Sequence, residues 1–367
     1  MHLSELVRRS VDKGRTLTLT AKLITARCDA VIVEFNPYHF ETIPAIIEQL
    51  NRNGFRPLLL INRLGIESGF FDHLDRNLNF RLFTLPEDRT VVIPFIRWFL
   101  KKRMVIWNTL EPRSCLDWIM TSFKGSLLGR SVGLFHNPGA CRGWVGIAVH
   151  LHPSFSTTND QFLPLFRFTG IADHAEHDSI VLGVVGNLEL FRRNYESLFL
   201  ALGELPAQDR ARFKVVIWGR ELGQATVEVR ALADRYSSTL NIEILSHEFL
   251  NQAAFNEKLS QCDYVLPLID DTEDRFSKYF SNSMTGSIIT SIAARRPLVM
   301  NRRLAQLYGL EDVAICYDRS FLKPALQKLL PDGNNEPSRE ALDRYYATQR
   351  DSANDTWARI LSKSGAR

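Results

Sequence analysis

Small hydroxyl side chains and a glycine come together at the start of an expected helix in the second half of the chain. They are Ser283, Thr285, Gly286 and Ser287, in the segment KYFSNSMTGSIITSIAARRPLVM. Free backbone N–H groups at the positive end of a helix dipole bind anions, so this pattern is typical of a pyrophosphate site. Lys278 and Tyr279, just upstream, would add a positive charge and a phenolic donor. Ser and Thr are also ordinary helix N-caps, and that structural interpretation stays open.

Such a site needs strands whose carboxyl ends meet, and the chain supplies apolar runs that alternate with helical patterns. This alternation is typical of βαβ units and of parallel sheets. Strands are expected at residues 30–35, 56–61, 104–107, 132–135 and 145–150, and then at 179–185, 213–218, 241–245, 264–268 and 297–300. Helices are expected at residues 42–53, 195–202, 225–236, 252–260 and 288–294. The pattern predicts an α/β protein with two tandem Rossmann-like domains that face a central cleft.

Length and composition agree with two globular domains. The chain has 367 residues, of which 45% are hydrophobic and 23% are charged, and this excludes a collagen-like, coiled-coil or largely disordered protein. The domains are expected at residues 1–165 and 179–338, with a linker at 166–178. A last helix within residues 339–367 is expected to pack back on the first domain.

Several classes of protein are disfavoured by what the sequence lacks. It has neither a P-loop nor a GxGxxG pattern after a strand, so neither an ATPase nor a Rossmann dehydrogenase is expected. The five cysteines show no CxxC spacing, which predicts a reducing, cytoplasmic location. The charged N-terminal segment does not resemble a secretory signal, and no apolar run is long enough to span a membrane. Lys and Arg are in excess in the first half but too dispersed for nucleic acid, which favours a phosphate-bearing or membrane-surface partner.

Residues 179–320 resemble the donor-binding domain of GT-B glycosyltransferases. The segments that carry the resemblance are, in order, VLGVVGN followed by Arg192, Arg193 and Asn194, then KVVIWGRE, IEILSHEF, CDYVLPLID and KYFSNSMTGSIITSIAARRPLVM. The donor-site residues that it implies are Gly186, Asn187 and Arg192 near the phosphates or sugar, Trp218, His247 and Phe249 around the nucleobase, and Lys278, Tyr279, Ser283, Thr285, Gly286 and Ser287 at the pyrophosphate. Trp218 could instead belong to the core, and Arg192 to a solvated helix face.

The resemblance implies a transferase that moves a sugar from a nucleotide diphosphate to a glycan acceptor. Retaining members commonly carry a spaced pair of glutamates and a Gly-rich loop after the first strand. Residues 279–294 contain no Glu and the loop reads EFNPYHF, so inversion is expected. Inversion needs a base on the acceptor side. The candidates are His39, which resembles the loop histidine of inverting members, and then His136, Glu34 and Glu41.

Neither a metal nor another cofactor is expected. Asp270 and Asp271 are adjacent rather than spaced as in a DxD motif, and His150 and His152 lack a third ligand nearby. The charge of the leaving diphosphate would be offset by the helix N-terminus and Lys278.

An aromatic and basic segment in the first half suggests where the acceptor is bound. Its residues are Phe95, Trp98, Phe99, Lys101, Lys102 and Arg103. Aromatic rings beside cations are typical of a membrane interface, although a buried helix with a basic end stays open. With the family resemblance, this predicts a lipid-linked glycan acceptor in polysaccharide biosynthesis at the inner face of the membrane. The alternatives are a nucleotide-sugar epimerase on the same fold and an inactive nucleotide-binding scaffold subunit.

Overall fold

The fold consists of two parallel β-sheets, each with helices on both faces. The computed structural model describes residues 28–36, 39–85, 93–110, 113–136, 138–151, 160–171, 178–247, 251–281, 283–330 and 339–365. The N-terminal segment and part of the expected linker, at 172–177, therefore lie outside the described residues. The expected α/β architecture of two Rossmann-like halves is confirmed.

The first sheet has seven strands in the order β3-β2-β1-β4-β5-β6-β7, with all pairs parallel. They are β1 (Ala30–Glu34), β2 (Pro57–Ile61), β3 (Arg81–Thr84), β4 (Met104–Trp107), β5 (Val132–Phe135), β6 (Ile147–His150) and β7 (Asp160–Gln161). Strand β1 is buried throughout, with Ala30 and Ile32 in one hydrophobic cluster and Val31 and Val33 in another. Because successive side chains point to opposite faces, an apolar run of this kind marks a strand covered on both sides.

The helices of the first half cover these two faces. They are α1 (Ile43–Arg52), α2 (Arg63–Glu67), α3 (Ile93–Lys102), α4 (Arg113–Ser122) and α5 (Gly125–Leu128), with 3-10 turns at Phe40–Thr42, Phe70–His73 and Pro138–Cys141. In α1, Ile43, Ile46, Ile47 and Leu50 recur at helical spacing and are all buried. Pro44 is compatible with the first turn, where the missing N–H has no helical partner.

The second sheet has six parallel strands in the order β10-β9-β8-β11-β12-β13. They are β8 (Ile180–Val185), β9 (Phe213–Arg220), β10 (Asn241–His247), β11 (Tyr264–Val265), β12 (Leu298–Asn301) and β13 (Ala314–Tyr317). The helices are α6 (Tyr195–Gly203), α7 (Ala207–Arg210), α8 (Gln224–Asp234), α9 (Gln252–Ser260), α10 (Gly286–Ala293), α11 (Arg302–Tyr308) and α12 (Lys323–Gln327), with 3-10 turns at Leu190–Arg192 and Asp274–Phe280.

The last helix, α13 (Arg339–Ser364), returns to the first sheet, as expected. It contacts α1, β6 and β7, and Trp357 is fully buried there. Asp343 of this helix pairs with Arg167 at 2.8 Å and with Arg295 at 2.6 Å. The helix therefore connects the two halves of the molecule.

The two halves also meet directly. The N–H of Gln252 donates to the carbonyl of Ser68 at 2.9 Å, and the N–H of Phe168 donates to the carbonyl of Ala293 at 3.1 Å. Helix α10 contacts the 3-10 turn at Phe40–Thr42, which follows β1. The carboxyl ends of β1 in the first sheet and β8 in the second thus open towards the same cleft.

Candidate active site

Two glycines shape the carboxyl edge of the second sheet. Gly186 follows β8 with φ of 118°, a conformation that side chains rarely adopt. Gly219 lies beside it in β9, where an added Cβ would overlap the carbonyl group of Gly186. Both positions therefore require glycine, because the carbonyl of Gly186 occupies the space that a side chain at position 219 would need.

The side chain of Arg193 lies next to Gly186, in the glycine loop that follows β8. Its side chain is 6% exposed and donates through Nη2 to the carbonyl of Val185, and an added Cβ on Gly186 would overlap the guanidinium. Among the described residues, no carboxylate comes within ion-pair distance of this buried charge. Arg192, the residue expected to contact the donor, is exposed and pairs with Glu189. The inward-facing cation at this edge is therefore Arg193, which sequence reasoning did not select.

Asn194 fixes the loops on either side of the glycine pair. Its Oδ1 accepts from the N–H of Ser197 at 3.1 Å and caps α6. Its Nδ2 donates to Asp270 at 2.7 Å and to Glu273 at 3.0 Å. Asp270 is buried and also accepts from the Thr272 hydroxyl at 2.7 Å, so its carboxylate serves the loop after β11.

The predicted pyrophosphate site, here also called the seat, is the first turn of α10. Thr285 is the N-cap, but its side chain makes no capping hydrogen bond, and its Oγ1 lies 2.8 Å from Oγ of Ser287. Both hydroxyl side chains are buried, whereas Gly286 is exposed. The two hydroxyl groups thus bond each other and do not cap the backbone N–H groups of this turn. Ser283 precedes the turn, with its N–H bonded to the carbonyl of Lys278 at 2.8 Å.

Lys278 lies between this seat and the turn that carries Arg192. Its Nζ is 5.1 Å from the ring centres of both Phe191 and Tyr279. Burial, and then the positive charge of Arg192, lower the pKa of the Lys278 ammonium. Phe191 is 57% exposed, whereas Tyr279 is buried in the core. The exposed ring of Phe191 and the cations Lys278 and Arg192 therefore lie on one surface, and the ring of Tyr279 is buried behind it.

A buried polar network lies at the carboxyl end of β1. Glu34 accepts from the N–H of Asn36 and from Nδ2 of Asn108, both at 2.5 Å. Asn108 also donates to the carbonyl of His39 at 3.0 Å and accepts from the Thr42 hydroxyl at 2.7 Å. Complete burial raises the pKa of Glu34 well above its usual range, against the opposing effect of these hydrogen bonds. A buried carboxyl of this kind positions the loop rather than meeting an acceptor in the cleft.

Thr109 adds backbone strain next to this network, with φ of 50°. A β-branched residue is rare in this conformation and persists only where its surroundings fix it. Asn108 and Thr109 were not selected from the sequence, since only their partners in the fold reveal them.

Three of the four candidate bases lie around the cleft. The rings of His39 and His136 are 4.8 Å apart, and Nδ1 of His39 is 3.5 Å from Oε1 of Glu41. The side chains of His39 and Glu41 are 31% and 25% exposed. Oε1 of Glu41 also lies 3.9 Å from the point that a Cβ on Gly286 would occupy. Glu41 therefore lies next to both His39 of the first half and the start of α10 in the second half.

Of the other residues expected at the donor site, Trp218 does not take its expected position. Trp218 was expected to flank a nucleobase, but its ring is fully buried against Gly183 and Phe255, so it belongs to the core. The side chain of His247, at the end of β10, and the whole of Phe249 lie outside the described residues. Asn187 lies next to Gly186 and its Nδ2 is 3.4 Å from Glu189.

The expected aromatic and basic segment is exposed only in part. Phe95 and Phe99 face the hydrophobic core of the first half, because α3 turns one side towards the sheet. Arg103 donates to the carbonyl of Cys28 and lies 3.4 Å from Asp29. Trp98, Lys101 and Lys102 remain exposed on α3.

Neither a metal cluster nor a membrane span is seen in the described parts of the chain. Among those residues, no three side chains of His, Cys, Asp or Glu lie together in a way that could hold a metal ion. His150 is buried, and burial lowers its pKa, while His152 lies outside the described residues. None of the described helices is both long and apolar enough to cross a bilayer.

Solved structures with the same two-sheet architecture cover almost the whole chain. The Anabaena protein HepE, solved with UDP and glucose, is 11% identical with a TM-score of 0.64, covering 92% of this chain and 100% of its own. A glycosyltransferase from Rickettsia africae is 12% identical with a TM-score of 0.52, covering 92% and 99%. The lipopolysaccharide outer core galactosyltransferase WaaB is 11% identical with a TM-score of 0.51, covering 90% and 98%. No model of a known protein family and no curated protein matches the sequence. The structural similarity establishes the GT-B fold for this chain.

Proposed function

We propose that this protein is a glycosyltransferase that moves a sugar from a nucleotide diphosphate to a glycan acceptor. One observation carries the proposal: Glu41 lies beside the first turn of α10, which has no side-chain cap, and beside His39. A candidate anion site and a candidate base thus lie close together, as transfer between two substrates requires. The ligands bound in the HepE structure, UDP and glucose, suggest the donor class to test first.

The donor diphosphate would lie against the second sheet. Thr285, Gly286 and Ser287 would offer backbone N–H groups to the phosphates, and the dipole of α10 would favour their negative charge. Arg193 and Lys278 would supply the positive charge that a metal provides in other enzymes, so we propose transfer without a metal or other cofactor.

The reaction would proceed with inversion, by direct attack of an acceptor hydroxyl on the anomeric carbon. His39 would take the hydroxyl proton as the new C–O bond forms, and the bond to the diphosphate would break with its electron pair leaving on the phosphate oxygen. His136, whose ring centre is 4.8 Å from that of His39, would contact the sugar or the same hydroxyl. The anomeric configuration of the product, read by NMR, tests this step, and a retained configuration would contradict it.

The acceptor is proposed to be a lipid-linked glycan, met at the inner face of a membrane. Trp98, Lys101 and Lys102 of α3 are exposed and would approach anionic lipid headgroups. Each basic residue near such a surface contributes about 1 kcal/mol, so Lys101→Glu with Lys102→Glu should weaken binding to phosphatidylserine vesicles more than tenfold. Unchanged vesicle binding would remove the membrane part of the proposal.

A thermal-shift panel of UDP, GDP, dTDP and CMP tests the donor site. A ligand at a hundredfold excess over its Kd should stabilise the fold by about 2.7 kcal/mol. Gly286→Glu should abolish the shift by placing a negative charge in the seat, since a Cβ there meets only Glu41, at 3.9 Å. Gly203→Glu is the matched control, because this exposed glycine ends α6 with nothing within 4 Å of an added Cβ.

Turnover assays with the corresponding nucleotide sugars, added to the binding panel, separate the alternatives. A nucleotide that binds without transfer or hydrolysis, with no effect of His39→Gln or His136→Gln, would favour the scaffold subunit. Conversion of a nucleotide sugar with no acceptor would favour the epimerase. The division into domains at residues 1–165 and 179–338, and the cytoplasmic location, are likewise proposals from the sequence.

A further inference from the structure

Glu41 stands between the two functional groups of the cleft. Its Oε1 is 3.5 Å from Nδ1 of His39, two residues earlier in the chain. The same oxygen is 3.9 Å from the Cβ position of Gly286, in the first turn of α10. One carboxylate oxygen is therefore shared between the candidate base of the first half and the anion site of the second half.

This arrangement sets two negative groups in competition for one place. A carboxylate near a helix N-terminus is stabilised by the helix dipole, and so is a diphosphate. Among the described residues, neither Lys nor Arg lies within ion-pair distance of Glu41, so His39 is its nearest ionisable partner. A diphosphate bound at α10 would repel the carboxylate, and Nδ1 of His39, 3.5 Å from Oε1, is the partner within short reach.

We propose that Glu41 couples donor binding to the orientation of the base. In the empty enzyme its carboxylate faces the first turn of α10 and shields it. A bound diphosphate displaces Glu41 towards His39, where it accepts a hydrogen bond from Nδ1–H. Nε2 of His39 is then left as the acceptor for the proton of the attacking hydroxyl. Glu41 is thus a positioning residue, and the inference rests on the donor site proposed above.

The charges that surround His39 are compatible with this role. Glu34 belongs to the buried network that holds the His39 carbonyl, and the ring of His136 is tilted against that of His39 with the ring centres 4.8 Å apart. Neither replaces Glu41, since Glu34 is engaged by Asn36 and Asn108, and His136 offers no negative charge.

The test uses Glu41→Gln, which keeps the size of the side chain and removes its charge. Inorganic pyrophosphate and UDP serve as probes in isothermal titration, pyrophosphate being independent of the nucleobase. Both should bind the variant about tenfold more tightly than the wild type, equivalent to about 1.4 kcal/mol. In ¹⁵N-histidine spectra, UDP should shift the Nδ1 signal of His39 in the wild type and leave it unchanged in the variant. His39→Gln assigns that signal.

The control is Glu67→Gln, which removes a charge from the same half of the molecule. Glu67 is exposed at the end of α2 and pairs with Arg63. This variant should match the wild type in both measurements, which excludes a general effect of net charge.

The outcomes distinguish the inference from the proposed function. If the wild type binds UDP and Glu41→Gln binds both probes no more tightly, or retains the His39 shift, the coupling role is wrong and the donor site stands. If neither protein binds pyrophosphate or any nucleoside diphosphate, the proposed function itself fails.

Discussion

Replacing Arg193 by Met should weaken nucleotide binding without weakening the fold. Arg193 is 6% exposed, and its guanidinium donates to the carbonyl of Val185 beneath the glycine loop. Met has a similar length and no charge, so it fills the space without creating a cavity. The variant therefore asks whether the buried charge serves the structure or a ligand.

The size of the effect follows from two opposing contributions. Loss of a hydrogen bond from a charged group costs about 1.5–3 kcal/mol. Burial of an ionic group costs several kcal/mol, and among the described residues no carboxylate offsets that cost for Arg193. We expect the free energy of unfolding of the Met variant to equal that of the wild type or exceed it by up to about 2 kcal/mol. Loss of a charged contact to phosphate should raise the Kd for UDP by roughly 10–100-fold.

Urea unfolding and UDP titration of the same samples make the comparison. Arg192→Met is the matched control, because this neighbour is exposed and pairs with Glu189. Its stability should stay within about 0.5 kcal/mol of the wild type, and its affinity for UDP should fall much less than that of Arg193→Met. If Arg193→Met were less stable by more than about 2 kcal/mol and bound UDP normally, the buried arginine would be a structural residue and our reasoning would be refuted.

The described contacts support three further predictions. Gly219→Ala should lower the free energy of unfolding by about 1–3 kcal/mol and weaken UDP binding, because its Cβ would displace the carbonyl of Gly186. Gly203→Ala is the control and should do neither, because nothing lies within 4 Å of an added Cβ there. Equal effects of the two variants would contradict the close contact between Gly219 and Gly186. Glu34→Gln should reduce the pH dependence of stability. Burial raises the pKa of wild-type Glu34, so the folded state keeps the proton and stability falls as pH rises from about 4.3 through the raised pKa. Urea unfolding across that pH range should show a flatter curve for the variant. Asp343→Ala should cost about 1–2 kcal/mol because it leaves Arg167 and Arg295 without their shared carboxylate; thermal unfolding measures this, and a change below about 0.3 kcal/mol would show that the bridge between the halves is not stabilising.

The fold was largely predictable because its central strands are covered on both faces. Strands such as β1 read as unbroken apolar runs, and helices such as α1 place their apolar residues at regular spacing. Strand β3 escaped prediction since it lies at the sheet edge and is partly exposed, so its residues carry no such run. Strand β7 is only two residues long. The formation of an edge strand depends more on pairing with its neighbour than on its own sequence pattern.

The site was less predictable, since local sequence does not tell which of two neighbours faces inward. Arg192 and Arg193 are equivalent as letters, and only the path of the turn after β8 buries the second. The family resemblance implied that Trp218 flanks the nucleobase, but its place on β9 directs the ring into the core. Asn108 contacts groups 66 and 74 residues earlier in the chain, and no local pattern signals such a partner.

Both edges of the cleft are fixed by the same chemical device. Asn108 in the first half and Asn194 in the second each donate through Nδ2 to a buried acid, Glu34 and Asp270 respectively. Each amide also bonds to a neighbouring loop, so the strand ends of both sheets are fixed by buried, satisfied hydrogen bonds. The groups that remain free to move are those between the edges, and Glu41 is the one whose charge is shared across the gap. Rigid edges with one adjustable carboxylate allow a diphosphate to reorient the base without any rearrangement of the sheets.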